Sequence, residues 1–247
     1  MTRLAPYPLV FIGAMALSLP ALAAYETVDA SGGGAISGTV TLTGSPSKLK
    51  KATFPKNLNK ADRNFCNSKR PLTSVFYAVK GGKLANVAVW LHKVKKGKRR
   101  AKAQGKLANK DCRFFPLVQT MEVGAKLLVT NDDPINHTTH PVYTKLKITA
   151  FNIAMPKKGQ RAKKKIRRAG LMRVQCDAGH VWMRAWIHAF KHPYHTVTGS
   201  DGAFSLDQIP PGEYTLKAWH EKGGTITRKV KVAAGGKVQV DLTFKVK

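Results

Sequence analysis

Cys176, His180 and Met183 form a Cys-x3-His-x2-Met pattern within Val174-Gln175-Cys176-Asp177-Ala178-Gly179-His180-Val181-Trp182-Met183. One short loop therefore carries a thiolate, an imidazole and a thioether. A further histidine, His137, closes the upstream stretch Asn131-Asp132-Asp133-Pro134-Ile135-Asn136-His137. One Cys and two His in a trigonal plane, with a weak axial Met, is the donor set of a mononuclear blue-copper site. Soft sulfur holds Cu(I), imidazole tolerates both oxidation states, and the long axial bond helps to tune the potential. Taken alone, a Cys-x3-His pair has little specificity, and most such pairs are structural. Met183 and the upstream His137 in its polar turn are what point to copper.

The other polar residues are weaker candidates. His140 lies three residues after His137 and is its rival for the upstream position. Asn131 and Asp133 are placed to brace the turn before His137 by hydrogen bonds that orient a ligand, and an ordinary Asx turn would look the same. Trp182 and Trp186 would share one face of a strand, shielding the metal or filling the core. His188, His192 and His195 cluster after the loop, near Pro and Tyr, and read as packing or surface residues. The sequence shows no nucleophile with a base aimed at it, no Gly-rich phosphate loop and no His-x-His pair. No enzymatic activity is expected.

These residues must be held by strands. β-branched or alternating runs recur at 35–43, 72–80, 84–94, 118–123, 126–131, 172–176, 182–190, 213–220, 224–233 and 237–247, separated by Gly, Pro, Asn and Asp. A short helix is expected only within 59–67. The chain reads as all-β.

Phe115-Pro116, Met121-Glu122-Val123-Gly124, Leu127-Leu128-Val129-Thr130-Asn131, His137, Cys176, His180 and Met183 come in the order found in cupredoxins. The stretch 72–192 resembles that family of small Greek-key β-sandwiches, most of which carry electrons. The resemblance implies one type 1 copper ion held by His137, Cys176, His180 and Met183, and it makes His140 a strand residue beyond the site. The same loop pattern also matches half of the binuclear copper motif of cytochrome oxidase. That centre needs a second Cys where this chain has Met172, so a single ion is implied.

The tail differs. Thr196-Val197-Thr198-Gly199-Ser200-Asp201-Gly202-Ala203-Phe204-Ser205-Leu206 and Ile209-Pro210-Pro211-Gly212-Glu213-Tyr214-Thr215-Leu216 are turn-strand units. They resemble the carboxypeptidase regulatory-like, transthyretin-type β-sandwich. The Ile-x-Gly-x-Val strand that usually opens such a module occurs far upstream, at Ile36-Ser37-Gly38-Thr39-Val40. An interrupted arrangement follows: signal 1–23, linker 24–34, an N-terminal strand and loop 35–70 contributing to the regulatory-like sandwich, a copper domain 71–195, and the regulatory-like sandwich itself over 196–247. The strand at 84–94 fits either sandwich. The whole arrangement resembles exported bacterial proteins that join these two folds, some of them called methylamine-utilisation proteins.

Residues 1–23 read as a secretory signal: Arg3, an apolar run over 9–19, and Ala21-Leu22-Ala23 as a cleavage site. The apolar run is short for a membrane span. An exported, periplasmic protein is expected. With Cys176 assigned to copper, Cys66 and Cys112 remain, and in an oxidising compartment an even pair reads as a disulfide.

The 43 Lys and Arg against 13 Asp and Glu give a formal net charge of +30. The excess is concentrated at 93–102 and 157–168. Export argues against nucleic acid as the target. Either the runs are solvated loops, or they dock an acidic redox partner or an anionic membrane or polysaccharide. Three functions are therefore open: single-electron transfer, copper storage or delivery, and metal-free adhesion or polysaccharide binding through the basic loops.

Overall fold

The computed structural model describes residues 24–44, 52–70 and 79–245. The signal at 1–23 and most of the strand expected over 72–80 lie outside the described residues. Within them, strands dominate and there is one α-helix, Lys60–Lys69.

The first sandwich pairs two sheets. One runs in the order Arg161–Lys165, Lys126–Asn131, Gly105–Lys110, Arg113–Phe115. The other runs Ile153–Met155, His137–Tyr143, Gly170–Gln175, Arg184–Phe190, Val118–Glu122. Period-two alternation decides what faces inward. Leu127 and Val129 from one sheet, and Val174, Ala185 and Ile187 from the other, are fully buried in a shared core. Met172 belongs to that core and packs as a strand residue.

The second sandwich sets His195–Val197, Ala88–Leu91, Gly212–His220 and Gly224–Val232 in one sheet. The other holds Ala203–Ile209, Gly34–Thr43, Lys83–Leu84 and Val79–Lys80, with Lys237–Gln239 and Leu242–Lys245 parallel to Gly34–Thr43. Strands from both ends of the chain thus share a sheet. Gly38 is needed there, because a Cβ would meet Val240 O at 1.9 Å. The segment at 84–94, placed above within 71–195, belongs here: Leu84, Val87, Val89 and Leu91 are fully buried in the second core. Its short apolar run is covered on both faces, which is why periodicity alone left it ambiguous. The stretch 24–34 is more than a linker, since Glu26–Thr27 pairs in parallel with Lys96–Gly97.

The basic run 93–102 is held down only in part, since Lys93, Lys95, Lys96, Arg99 and Lys102 are exposed. Lys98 pairs with Asp207, Arg100 Nε bonds Glu122 Oε2 at 2.9 Å, and the Lys102 N–H donates to Glu122 Oε1 at 3.0 Å. These partners lie far along the chain, out of reach of a local reading. The run 157–168 contains the edge strand Arg161–Lys165, whose basic side chains are exposed.

The sandwiches meet on the outer face of Arg184–Phe190. Trp186 and Arg184 both donate to Glu221 Oε2, at 2.7 and 3.0 Å, and Trp186 meets Trp219 edge-on at 5.1 Å. Further along, Trp90, His188, Phe190, His192 and His195 form an aromatic stack. Trp182 does not share a strand face with Trp186, because the strand begins only at Arg184.

Candidate metal centre

Gln175 pairs with Arg184 at the end of an antiparallel ladder, so residues 176–183 form the connection between those two strands. Gly179 takes φ +85° within it, a left-handed turn that favours glycine. The Met183 N–H donates to His180 O at 2.9 Å and closes a second turn. His137 opens the neighbouring strand, in which His140 pairs with Gln175. Three strand ends are thereby brought to one edge of the sandwich, and the side chains at those ends converge.

His137, Cys176 and His180 come together in the core. Cys176 Sγ lies 3.9 Å from His137 Nδ1 and 3.5 Å from His180 Nδ1, and all three donor atoms fall within 4.8 Å of one another. Bonds of about 2.0–2.3 Å at ~120° would place nitrogen and sulfur about 3.8 Å apart, so the spacing fits one metal ion in a trigonal plane. Met183 lies near His137 and is buried. The four candidate ligands are 0–5 % exposed, which leaves water little access. His140 is elsewhere: its ring bonds Asp177 and Thr149 on the other face of the strand. Cys112, which approaches Asp133 and His137, is bound in a disulfide and offers no thiolate.

The surroundings favour the thiolate. Burial raises the Cys176 thiol, but hydrogen bonds with His137 and His180 and from the Thr138 N–H outweigh it, bringing the value down to about 6. Burial lowers His137, yet its bonds to Asp133 and Cys176 raise it overall. Burial likewise raises Asp133, and His137 with the Cys112 and Asp111 N–H groups pull it below the usual carboxylate range.

Both imidazoles have a carboxylate behind them, as metal-ligating histidines commonly do. Asp133 Oδ2 lies 2.9 Å from His137 Nε2 and also accepts from the Cys112 N–H at 2.9 Å. Asp133 Oδ1 accepts from the Asp111 N–H at 2.7 Å. Asn131 braces the same turn through Asp133 N, Ile135 O and Met155 O. Asp62 Oδ2 lies 3.4 Å from His180 Nε2, which makes no hydrogen bond. Asp62 and Cys66 are the buried residues of the helix, one turn apart, and Cys66 is bonded to Cys112 with Cα atoms 5.5 Å apart. The disulfide therefore ties the helix that carries Asp62 to the turn whose Asp111 and Cys112 N–H groups donate to Asp133.

The stretch before the helix covers the loop. Leu58 abuts Gly179, and Phe54 meets Trp182 edge-on at 4.7 Å. Trp182 itself stands edge-on to His180 at 5.2 Å and donates to Cys112 O at 3.0 Å, so it shields the site. Sequence reasoning missed Asp62, Phe54 and Leu58. Asn59-x-x-Asp62 is a readable helix start, and the Asn59 side chain accepts from the Asp62 N–H. Nothing in the sequence says which way that helix faces.

Residues 173–245 match the family model for the carboxypeptidase regulatory-like domain. The match starts inside the first sandwich, since Gly170–Gln175 and Arg184–Phe190 belong there. No curated protein matches the chain in sequence. Among solved structures, a purple cupredoxin from Nitrosopumilus maritimus is 20% identical, with a TM-score of 0.31 over 35% of this chain and 99% of that one. A reduced amicyanin variant is 19% identical, with a TM-score of 0.32 over 37% of this chain and 87% of that one. A copper-containing nitrite reductase from Thermus scotoductus is 19% identical, with a TM-score of 0.30 over 36% of this chain and 23% of that one. The chain therefore carries a carboxypeptidase regulatory-like match in its C-terminal part, and about a third of it is structurally similar to cupredoxins.

Proposed function

We propose that this is an exported type 1 copper protein that carries single electrons. The observation that carries the reading is the convergence of His137 Nδ1, His180 Nδ1 and Cys176 Sγ at the spacing of a trigonal metal plane. His137 and His180 would bind through Nδ1, Cys176 through its thiolate, and Met183 through its thioether. Copper held there supplies one-electron exchange in a geometry suited to both oxidation states.

The chain's own residues do the rest. The Thr138 N–H donates to Cys176 Sγ at 3.3 Å and stabilises negative charge on sulfur. Asp133 holds His137 with Nδ1 turned toward Cys176. Phe54, Leu58 and Trp182 keep water out. Burial of all four ligands leaves no open position for a substrate, which favours outer-sphere electron transfer over catalysis. The same burial slows exchange of a metal ion and so disfavours copper delivery. The Cys66–Cys112 disulfide fits an oxidising compartment, the periplasm in this reading. The redox partner is an acidic protein steered by the positive surface.

Reversible voltammetry of the copper-loaded protein tests the assignment. A single one-electron wave, with copper retained against a competing chelator in both oxidation states, is the expected result. Ready loss of Cu(I) to the chelator would instead identify a delivery protein.

A further inference from the structure

The metal centre makes no use of the most exposed aliphatic side chains of the first sandwich outside its loop. Leu146 and Ile148 are 48 % and 43 % exposed, on the turn that follows the strand His137–Tyr143. Lys145 and Lys147 alternate with them and are exposed too. The turn is fixed in place: the Lys147 N–H donates to Tyr143 O at 2.8 Å, and the Tyr143 N–H to Ile148 O at 2.9 Å. The Tyr143 hydroxyl donates to Arg168 O at 2.9 Å, which fastens the turn to the basic segment beside it. Ile148 and Lys165, Arg167 and Arg168 line one cleft of about 160 Å³. Among the described residues, no carboxylate makes an ion pair with any of these five cations. The sequence holds no acid between Asp133 and Asp177.

We infer that this corner docks the protein on an anionic phospholipid surface. Five unpaired cations suit any polyanion, because counterion release and long-range attraction ignore what carries the charge. Two exposed aliphatic side chains interleaved with lysines do not. Their burial is rewarded only where a nonpolar phase lies just beneath the anionic groups, as at the headgroup and acyl boundary of a bilayer. A soluble acidic polymer offers the charge without that phase. The inference stands independently of the copper reading, since no ligand and none of the groups behind the ligands takes part.

The test is co-sedimentation of the metal-free protein, without the signal at 1–23, with phosphatidylcholine vesicles, with and without phosphatidylglycerol, beside binding to soluble dextran sulfate. Wild type should partition onto the phosphatidylglycerol vesicles, stay off the neutral ones, and dissociate in high salt. The double variant Leu146→Ser, Ile148→Ser should lose about tenfold in vesicle partitioning and keep its affinity for dextran sulfate. The double variant Arg167→Gln, Arg168→Gln should weaken both. Circular dichroism on each variant separates these outcomes from misfolding. If the Leu146/Ile148 variant matches wild type on vesicles, the corner is a general polyanion site and the membrane assignment is overturned. Absence of wild-type binding to phosphatidylglycerol vesicles would overturn it as well.

Discussion

Mild acid should separate or unfold the two sandwiches through the histidine stack between them. His188 Nδ1 and both ring nitrogens of His195 are shielded from solvent without hydrogen-bond partners, and His192 is buried. Burial, reinforced by His195 and His192, pushes His188 down to about 3. Burial with His195 pushes His192 down to about 4, where Glu122 opposes the shift and Arg100 and His92 add to it. Burial with Arg100 and Lys98 pushes His195 down to about 4. The folded state thus keeps all three neutral at pH 5, while unfolded histidines, with values near 6.5, take up protons. Stability present above pH 6.5 is therefore lost as pH falls toward 4. Between pH 7.5 and 5 each such histidine removes about 2 kcal/mol, or about 6 kcal/mol for three, against a total stability of about 5–15 kcal/mol. In the metal-free protein His137, which is raised, works in the opposite direction, while the Cys176 thiol, brought down to about 6, adds to the loss as pH falls through that value. Urea unfolding of metal-free protein at pH 7.5 and pH 5, at fixed ionic strength, measures the difference directly. His195→Gln should reduce that difference by about 2 kcal/mol, whatever it does to stability at pH 7.5. Equal stability at the two pH values in wild type, or an unchanged difference in the variant, would refute the reasoning.

Two further predictions concern the groups behind the ligands. Asp133→Asn keeps the shape but sets an amide N–H against one of three donors, so copper affinity should fall about 10–100-fold and unfolding should cost about 1.5–3 kcal/mol less, read by chelator competition and urea titration. The double variant Cys66→Ser, Cys112→Ser opens a link with a sequence separation of 46. It should lose about 4 kcal/mol in a chain-entropy estimate, measured by urea unfolding, and it should weaken copper binding because the helix bearing Asp62 is no longer tethered.

Much of the site was legible because its chemistry is carried by residue types. A Cys, a Met and two His suit few ions, and the order of His137 and the Cys176 loop along the chain matched a known arrangement. Some inner strands were legible from alternation: Leu127 and Val129, or Ala185 and Ile187, repeat every second residue. The strands Gly105–Lys110, Ile153–Met155 and Arg161–Lys165 were not. Arg161–Lys165 is an edge strand with basic side chains, and its pairing with Lys126–Asn131 is a tertiary fact that no local pattern records. Asp62 was hidden for the same reason. Its capping role is local and readable, but its approach to His180 spans more than a hundred residues, on a helix that the disulfide joins to the first sandwich.

The central claim is tested most directly by the visible and electron paramagnetic resonance spectra of the purified protein titrated with Cu(II). A single equivalent should produce the intense thiolate-to-copper absorption of a type 1 centre, and Cys176→Ser should abolish it while His140→Ala leaves it in place. Colour that survives in the Cys176→Ser protein, or a wild type that binds Cu(II) without that absorption, would contradict the account.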